Sequence, residues 1–336
     1  MPQNTTAVII PVYNRATLWR RAVDSVMQQS LLPSNLIIVN DGSTDETSNN
    51  IRKWLGDDKN NIINGVNITL LTQEHSNAST ARNLGLSEIK DSNKVCDYVL
   101  FLDSDDELSP NFIEATTKLV QEQAQVVAVS SPRLTLLDGQ DHKKQYHSKP
   151  VFDDLQDMAK APVSWMLYYG SSILSCSLFR ISALPKDGFD QSMVIGEDML
   201  FASQVAMQGE WSVVAGAPTK FWRQDPVIDD AVNDATNDAG KDATKDNCIN
   251  GNAGSLSFIH DPKQSPESAM LAIQARVKTF KLVGSSKIVR RSYLHGILRD
   301  FYGLAVTSSR GFNKYVYASL VLYHSIMRWL TWLVRQ

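Results

Sequence analysis

The chain has 336 residues, 43% of them hydrophobic and 21% charged, with a formal net charge of −3. That length suits one large domain with an appendage or two domains, and the composition is ordinary for a soluble globular protein. Three widely spaced cysteines (Cys96, Cys176, Cys248) fit neither a disulfide framework nor a zinc site, which excludes a stapled secreted domain and points to a reducing compartment. The near-neutral total conceals two opposed segments. From Arg276 onward there are eleven Lys/Arg and one acid, Asp300, whereas Asp225–Asn247 holds seven Asp and two Lys. The opening Met-Pro-Gln-Asn-Thr-Thr has no basic region and no long apolar run, so no signal peptide is expected.

In chain order, Ala7–Tyr13 reads as a first buried strand ending at Asn14-Arg15. A helical stretch follows, with Leu18, Ala22, Val26 and Met27 on one side. Leu36–Val39 is a second buried strand. It runs into Asn40-Asp41-Gly42-Ser43-Thr44-Asp45, a turn-rich loop in which Asp45 can cap the helix beginning near Glu46. Asn67–Thr72 is a third strand and Ser76–Lys90 a helix carrying Ala81-Arg82-Asn83. Tyr98–Leu102 is a fourth strand, apolar enough to be covered on both faces. Four strand–helix alternations in about 110 residues imply a doubly wound, mostly parallel sheet of Rossmann-like type. Asn14, Asp41 and Asp103–Asp106 each follow a strand and should gather along one sheet edge, where open α/β sheets bind ligands. Asp103, Asp105 and Asp106 repel one another unless a cation or strong donors neutralise them. Oxygen ligands suit Mg²⁺ or Mn²⁺, metals that commonly bring phosphates. Asp106 could equally cap the helix near Ser109-Pro110.

Further on, a helix is expected to about Gln123 and a strand over Val126–Ser130. The stretch Arg133–Pro162 is polar and hard to assign. Trp165 and Tyr168-Tyr169 read either as sugar-stacking aromatics or as core. Glu197-Asp198 opens an amphipathic helix over Met199–Met207 that stops at Gly209, and Trp211–Ala215 is a short strand. Val227–Gly251 is low in complexity and reads as a loop insertion. From Pro266 the chain reads helical, in segments Met270–Val283, Lys287–Val306 and Phe312–Val334. The last is strongly apolar, but His324, Arg328, Thr331 and Arg335 form a polar stripe. That argues for a helix in the membrane interface or packed on the domain rather than one spanning a bilayer.

Five stretches, Pro11-Val-Tyr-Asn-Arg15, Val39–Asp45, Ala81-Arg-Asn-Leu-Gly85, Phe101–Asp106 and Gly196-Glu-Asp198, resemble in order and spacing the signatures of family 2 glycosyltransferases, inverting enzymes with a GT-A fold. The resemblance covers about residues 5 to 225. It implies a GT-A catalytic domain over 1–225, beyond which the composition reads as an acidic loop over 226–262 and a basic, aromatic helical region over 263–336. It also implies a nucleotide-sugar donor, usually UDP-linked, and a divalent metal, Mn²⁺ or Mg²⁺. Pro11, Val12, Tyr13 and Asn14 would wall the base and ribose, Asp41 would accept a hydrogen bond from the base, and Arg82 would reach the ribose or diphosphate. Asp103 would meet the ribose hydroxyl or a metal-bound water, Asp105 would coordinate the metal, Asp198 would be the general base, and Glu197 would orient an acceptor or sugar hydroxyl. Many relatives carry an Arg-x-His after the Glu-Asp helix; here Trp222-Arg-Gln-Asp225 puts Asp225 at the His position, so either Asp225 serves as a ligand or, the expected case, the third ligand is absent.

The expected activity is transfer of a sugar to a hydroxyl of a surface glycan or lipid-linked acceptor. The expected location is cytoplasmic, peripheral on the inner face of the cytoplasmic membrane if Lys287, Arg290, Arg291, Arg299, Arg310, Lys314 and Arg328 face anionic lipid. The competing reading of these helices is a subdomain that packs on the catalytic domain or forms a homodimer. Nucleic acid is not an expected partner, because no binding module accompanies the charge. The alternatives in activity are a catalytically inactive nucleotide-sugar sensor or scaffold of the same fold, and a nucleotidyltransferase. The latter is disfavoured because no Gly-rich triphosphate loop follows the first strand.

Overall fold

The computed structural model describes residues 6–56, 61–91, 96–138, 159–169, 173–224, 266–283 and, within 289–297, all but Arg291 and His295. The insertion at 226–262, Asp225 and the aromatic segment Phe312–Val334 lie outside the described residues. The chain divides into two compact units. The first holds 1–156, 174–184 and 209–254, and the second holds 157–173, 185–208 and 255–336.

The first unit is built on β1 (Thr6–Val12), β2 (Asn35–Asp41), β3 (Ile62–Ile63), β4 (Val66–Gln73), β5 (Tyr98–Phe101), β6 (Asp106–Leu108), β7 (Val126–Ser130), β8 (Arg133–Asp138), β9 (Ser177–Arg180), β10 (Glu210–Val213) and β11 (Thr219–Gln224). Eight of these form one sheet in the order β10-β7-β9-β5-β1-β2-β4-β3. The strands β5, β1, β2 and β4 run parallel, as the strand–helix alternation requires. The sheet is nevertheless mixed: β9 lies antiparallel between β5 and β7. Periodicity alone could not have found this, because Ser177–Arg180 returns to the sheet from far along the chain. A second, three-stranded sheet in the order β6-β11-β8 was also not expected. The strand β6 is made of residues that read as the tail of an acidic turn, and its antiparallel partner β11 lies over a hundred positions away.

Helices α1 (Trp19–Met27), α2 (Thr47–Leu55), α3 (Ala78–Asp91) and α4 (Phe112–Glu122) cover the large sheet. Strand alternation divides the work. Val8, Ile10 and Val12 of β1 pack in one cluster with Trp19, Val23 and Val26 of α1, Ile51 of α2 and Phe112 of α4. Ile9 faces the other way, toward α3. There a side chain at Gly85 would come within 2.7 Å of Ile9 Cγ2, so only glycine lets α3 lie this close. On β5, Phe101 continues that face, with Phe179 6.1 Å away and Trp211 edge-on to Phe179 at 5.8 Å. All seven residues of β2 are buried, the signature of a strand covered on both sides. Truncating a fully buried residue such as Ile38 should cost about 2–5 kcal/mol.

The second unit contains α5 (Pro162–Tyr169), α6 (Glu197–Ala206) and α7 (Pro266–Val283). Gly196 precedes α6 with φ +79, and a side chain there would meet Ala275 Cβ of α7 at 2.5 Å. Phe189 and Phe201 stack at 3.9 Å within the same unit. Trp165 is buried in α5. Among the described residues no helix is long and apolar enough to cross a membrane.

Candidate active site

In the first unit the C-terminal ends of β1, β2, β4 and β5 meet along one edge, and hydrogen bonds tie their loops together. After β1, Asn14 adopts φ 47, a left-handed conformation that Asn tolerates. Its backbone N–H donates to Ser43 Oγ at 3.0 Å, and its Oδ1 accepts the Thr44 N–H at 2.9 Å. Asn40 Oδ1 accepts the Ser43 N–H. Asp45 accepts the N–H groups of Ala16 and Thr47. It stands one residue before the helix cap, which is Glu46, and so ties the β1 loop to the start of α2.

Asp41 ends β2 and is buried, 4% exposed. The strand register places it opposite Gln73, the last residue of β4. Asp41 Oδ1 accepts Gln73 Nε2 at 2.6 Å and the Ser76 N–H at 3.0 Å, and His75 Nδ1 lies 3.1 Å from Oδ2. The His75 ring stacks on Tyr13, with centroids 3.8 Å apart and planes 12° apart. Gln73, His75 and Ser76 went unremarked in the sequence. Their signal was available: Gln73 ends β4 as Asp41 ends β2, and His75 and Ser76 come just after.

After β5 the chain turns tightly, the Asp106 N–H donating to Asp103 O. Asp103 pairs with Arg82 of α3, Nη2 to Oδ1 at 2.8 Å, both side chains largely buried. The small residues Ala81 and Gly85 bring α3 close enough to the sheet for this reach. The Asp103 N–H donates to Ser175 Oγ. Asp105 keeps 39% of its side chain exposed and has Arg15 Nη2 3.7 Å away. Burial and then the Asp103 charge raise its pKa above the usual carboxylate range, with Arg15 opposing. Asp106 is buried, and desolvation followed by the charges of Asp103 and Asp105 pushes it well above that range; a Ser175 hydrogen bond and Arg133 oppose this. Beneath lies Cys176, fully buried, whose thiol burial pushes up to about 12, keeping it protonated and inert.

In the second unit Glu197 and Asp198 occupy the first turn of α6, where the helix dipole favours carboxylates. Asp198 is 4% exposed and its Oδ1 accepts the Met199 N–H at 2.7 Å. Arg276 of α7 is buried in this unit and donates to Leu167 O.

The family model for glycosyl transferase family 2 matches residues 7–181, over half of the chain. The chain belongs to glycosyl transferase family 2. It is 28% identical over 197 residues to glycosyltransferase GlyA of Streptococcus pneumoniae, a match covering 54% of this chain and 27% of that protein. It is 27% identical over 210 residues to the O-antigen chain rhamnosyltransferase RfbN of Salmonella typhimurium, covering 60% of this chain and 61% of that one. The chain thus matches between about a quarter and three-fifths of the length of these relatives. The solved structure of mannosyltransferase PcManGT from Pyrobaculum calidifontis, in complex with GDP-Man and Mn2+, superposes with a TM-score of 0.57 at 15% identity, covering 98% of this chain and 84% of that one. That likeness supports the same GT-A fold. This family 2 chain has a mixed, mostly parallel sheet.

Among the described residues no three acidic, His or Cys side chains converge as a closed metal site. An open site of one or two carboxylates still suits Mg²⁺ or Mn²⁺, which retain waters and complete their shell with substrate phosphates. Asp105, crowded by Asp103 and accessible to solvent, fits that role in charge and donor type.

Proposed function

We propose that this family 2 chain is an inverting glycosyltransferase that moves a sugar from a nucleoside-diphosphate donor, UDP-linked first, to a hydroxyl of a surface glycan or lipid-linked acceptor. The observation that carries the reading is the assembly of Tyr13, Asn14, Asp41, Arg82, Asp103 and Asp105 from four strand-end regions on one edge of the first unit. The likeness to the O-antigen chain rhamnosyltransferase RfbN supports a glycan acceptor. The GDP-Man in the structural neighbour makes GDP the rival base.

In this reading Pro11, Val12, Tyr13 and Asn14 border the base and ribose, and Asp41 faces the base edge. Asp103, held by Arg82, stands at the ribose side, and Asp105 would hold a divalent cation. A bound Mg²⁺ or Mn²⁺ would supply charge neutralisation for the departing diphosphate. Asp198 takes the acceptor hydroxyl proton as that oxygen attacks the anomeric carbon. The bond to the diphosphate breaks from the opposite face, inverting the configuration, by the logic of a single displacement. Glu197 orients a hydroxyl beside it. The basic positions from Lys287 onward would hold the protein against an anionic membrane surface where a lipid-linked acceptor resides.

Incubating the protein with a panel of nucleotide sugars and Mn²⁺ tests the reading. Transfer or slow donor hydrolysis with one base is expected, and Asp198→Asn should abolish turnover while donor binding persists. Full activity in that variant would remove Asp198 as base. Binding without turnover for every donor would favour the inactive sensor.

A further inference from the structure

Two contacts made by one exposed side chain reach beyond the donor-site reading, on which this inference rests. A nucleobase held by a protein usually offers a flat π face to an aromatic ring and an N–H edge to a fixed acceptor. The His75 imidazole makes both kinds of contact here. It lies on the Tyr13 ring at 3.8 Å and 12°, and its Nδ1 meets Asp41 Oδ2 at 3.1 Å. The other carboxylate oxygen is already taken by Gln73 and Ser76. The acceptor that Asp41 has left for a base is therefore the one His75 engages.

The backbone at His75 is pinned. A side chain on Gly42 would come within 2.5 Å of His75 N, and the adjoining Ser76 N–H is held by Asp41. The ring itself is 43% exposed. A side chain with a fixed root and an open flank can leave by rotating about its own bonds, with no loop movement.

We propose that His75 is an internal stand-in for the donor base, stacking on Tyr13 and bonding to Asp41 until an incoming uracil or guanine displaces it. His75 then acts as a competitor that lowers apparent donor affinity. The reduction applies by the same factor to every base that needs the Tyr13–Asp41 seat. A closed fraction set by one stacked, hydrogen-bonded pair should weaken binding about fivefold.

The test is calorimetric binding of UDP and of GDP, each with Mn²⁺, to the full chain and to His75→Ala. His75→Ala should bind the preferred diphosphate about fivefold tighter, while Tyr13→Ala binds it more weakly. In the unsubstituted protein, the His75 ring protons should lose their Tyr13 ring-current shift by NMR as the diphosphate saturates the site. Equal or weaker binding by His75→Ala, or a ring shift that survives saturation, overturns the inference alone and makes His75 a wall of the base site. If neither protein binds any nucleoside diphosphate, the donor-site reading falls and the inference falls with it.

Discussion

The loop after β2 and the loop after β5 leave strands on either side of β1, on the same sheet edge, yet they treat their carboxylates in opposite ways. Asp41 is buried and supplied with donors from its own chain: Gln73, Ser76 and the ring of His75. Asp105 is partly exposed, repelled by Asp103, and approached at 3.7 Å by Arg15, whose charge with that of Arg21 offsets the repulsion and burial only in part. A carboxylate supplied with partners by its own chain is built into the fold. A carboxylate left in like-charge company carries a charge that a cation would relieve. One loop is balanced by donors of its own chain, and the other, in the proposed reading, would be balanced by a bound cation.

Removing the cation's carboxylate should break this contrast most visibly. Asp105→Asn should lower Mn²⁺-dependent transfer roughly a thousandfold, about 4 kcal/mol of barrier. In the metal-free protein the same change should leave the melting temperature unchanged or slightly higher, because it relieves repulsion. Assays with and without chelator and a thermal melt check both halves. Asp41→Ala should do the reverse in the absence of any ligand. It strands the Ser76 N–H and the Gln73 amide, at a cost of about 2–3 kcal/mol, which a melt should read as a drop of several degrees. Asp41→Asn, which keeps an acceptor for Ser76, should recover most of that loss.

A smaller effect is expected behind the Arg82–Asp103 pair. Gly85→Ala forces a methyl against Ile9, costing about 1–3 kcal/mol by chemical denaturation, and should lower activity by pushing Arg82 away from Asp103. The smallest lies in the second unit, at Asp190. Asp190 is held below the usual carboxylate range by Lys278 and then by Ser192. A carboxylate with a depressed folded pKa contributes its stability above the unfolded value near 4 and loses it as pH falls through the folded one. Asp190→Asn should therefore cost a few tenths of a kcal/mol at pH 7, since the pair is solvent-screened. The difference should shrink as pH falls below about 4 in melts across that range.

Much of this contrast was legible in the chain. Strands buried on both faces announce themselves as unbroken apolar runs, so β1, β2, β5 and β7 were placed within a residue or two. The rule that ligands gather beyond strand ends then selected Asn14, Asp41 and Asp103–Asp106. What escaped were residues whose importance depends on register. Gln73 matters because it pairs with Asp41 across β2 and β4. Arg15 matters because the loop after β1 turns toward Asp105. Ser175 and Arg133 matter because strands from elsewhere in the chain close around Asp106.

The division has a physical basis. Apolar periodicity, turn residues and carboxylate spacing are local properties, and the amino-acid order alone determined the alternating α/β layout, the edge that would carry the chemistry and the residue types available there. The insertion of β9 antiparallel between β5 and β7, and the pairing of β6 with β11, join segments tens to more than a hundred residues apart. Only the tertiary structure could decide which of the crowded acids is paired, which is buried and which is left open. Each outcome depends on burial and on a partner's position, and neither is a property of any short stretch of chain.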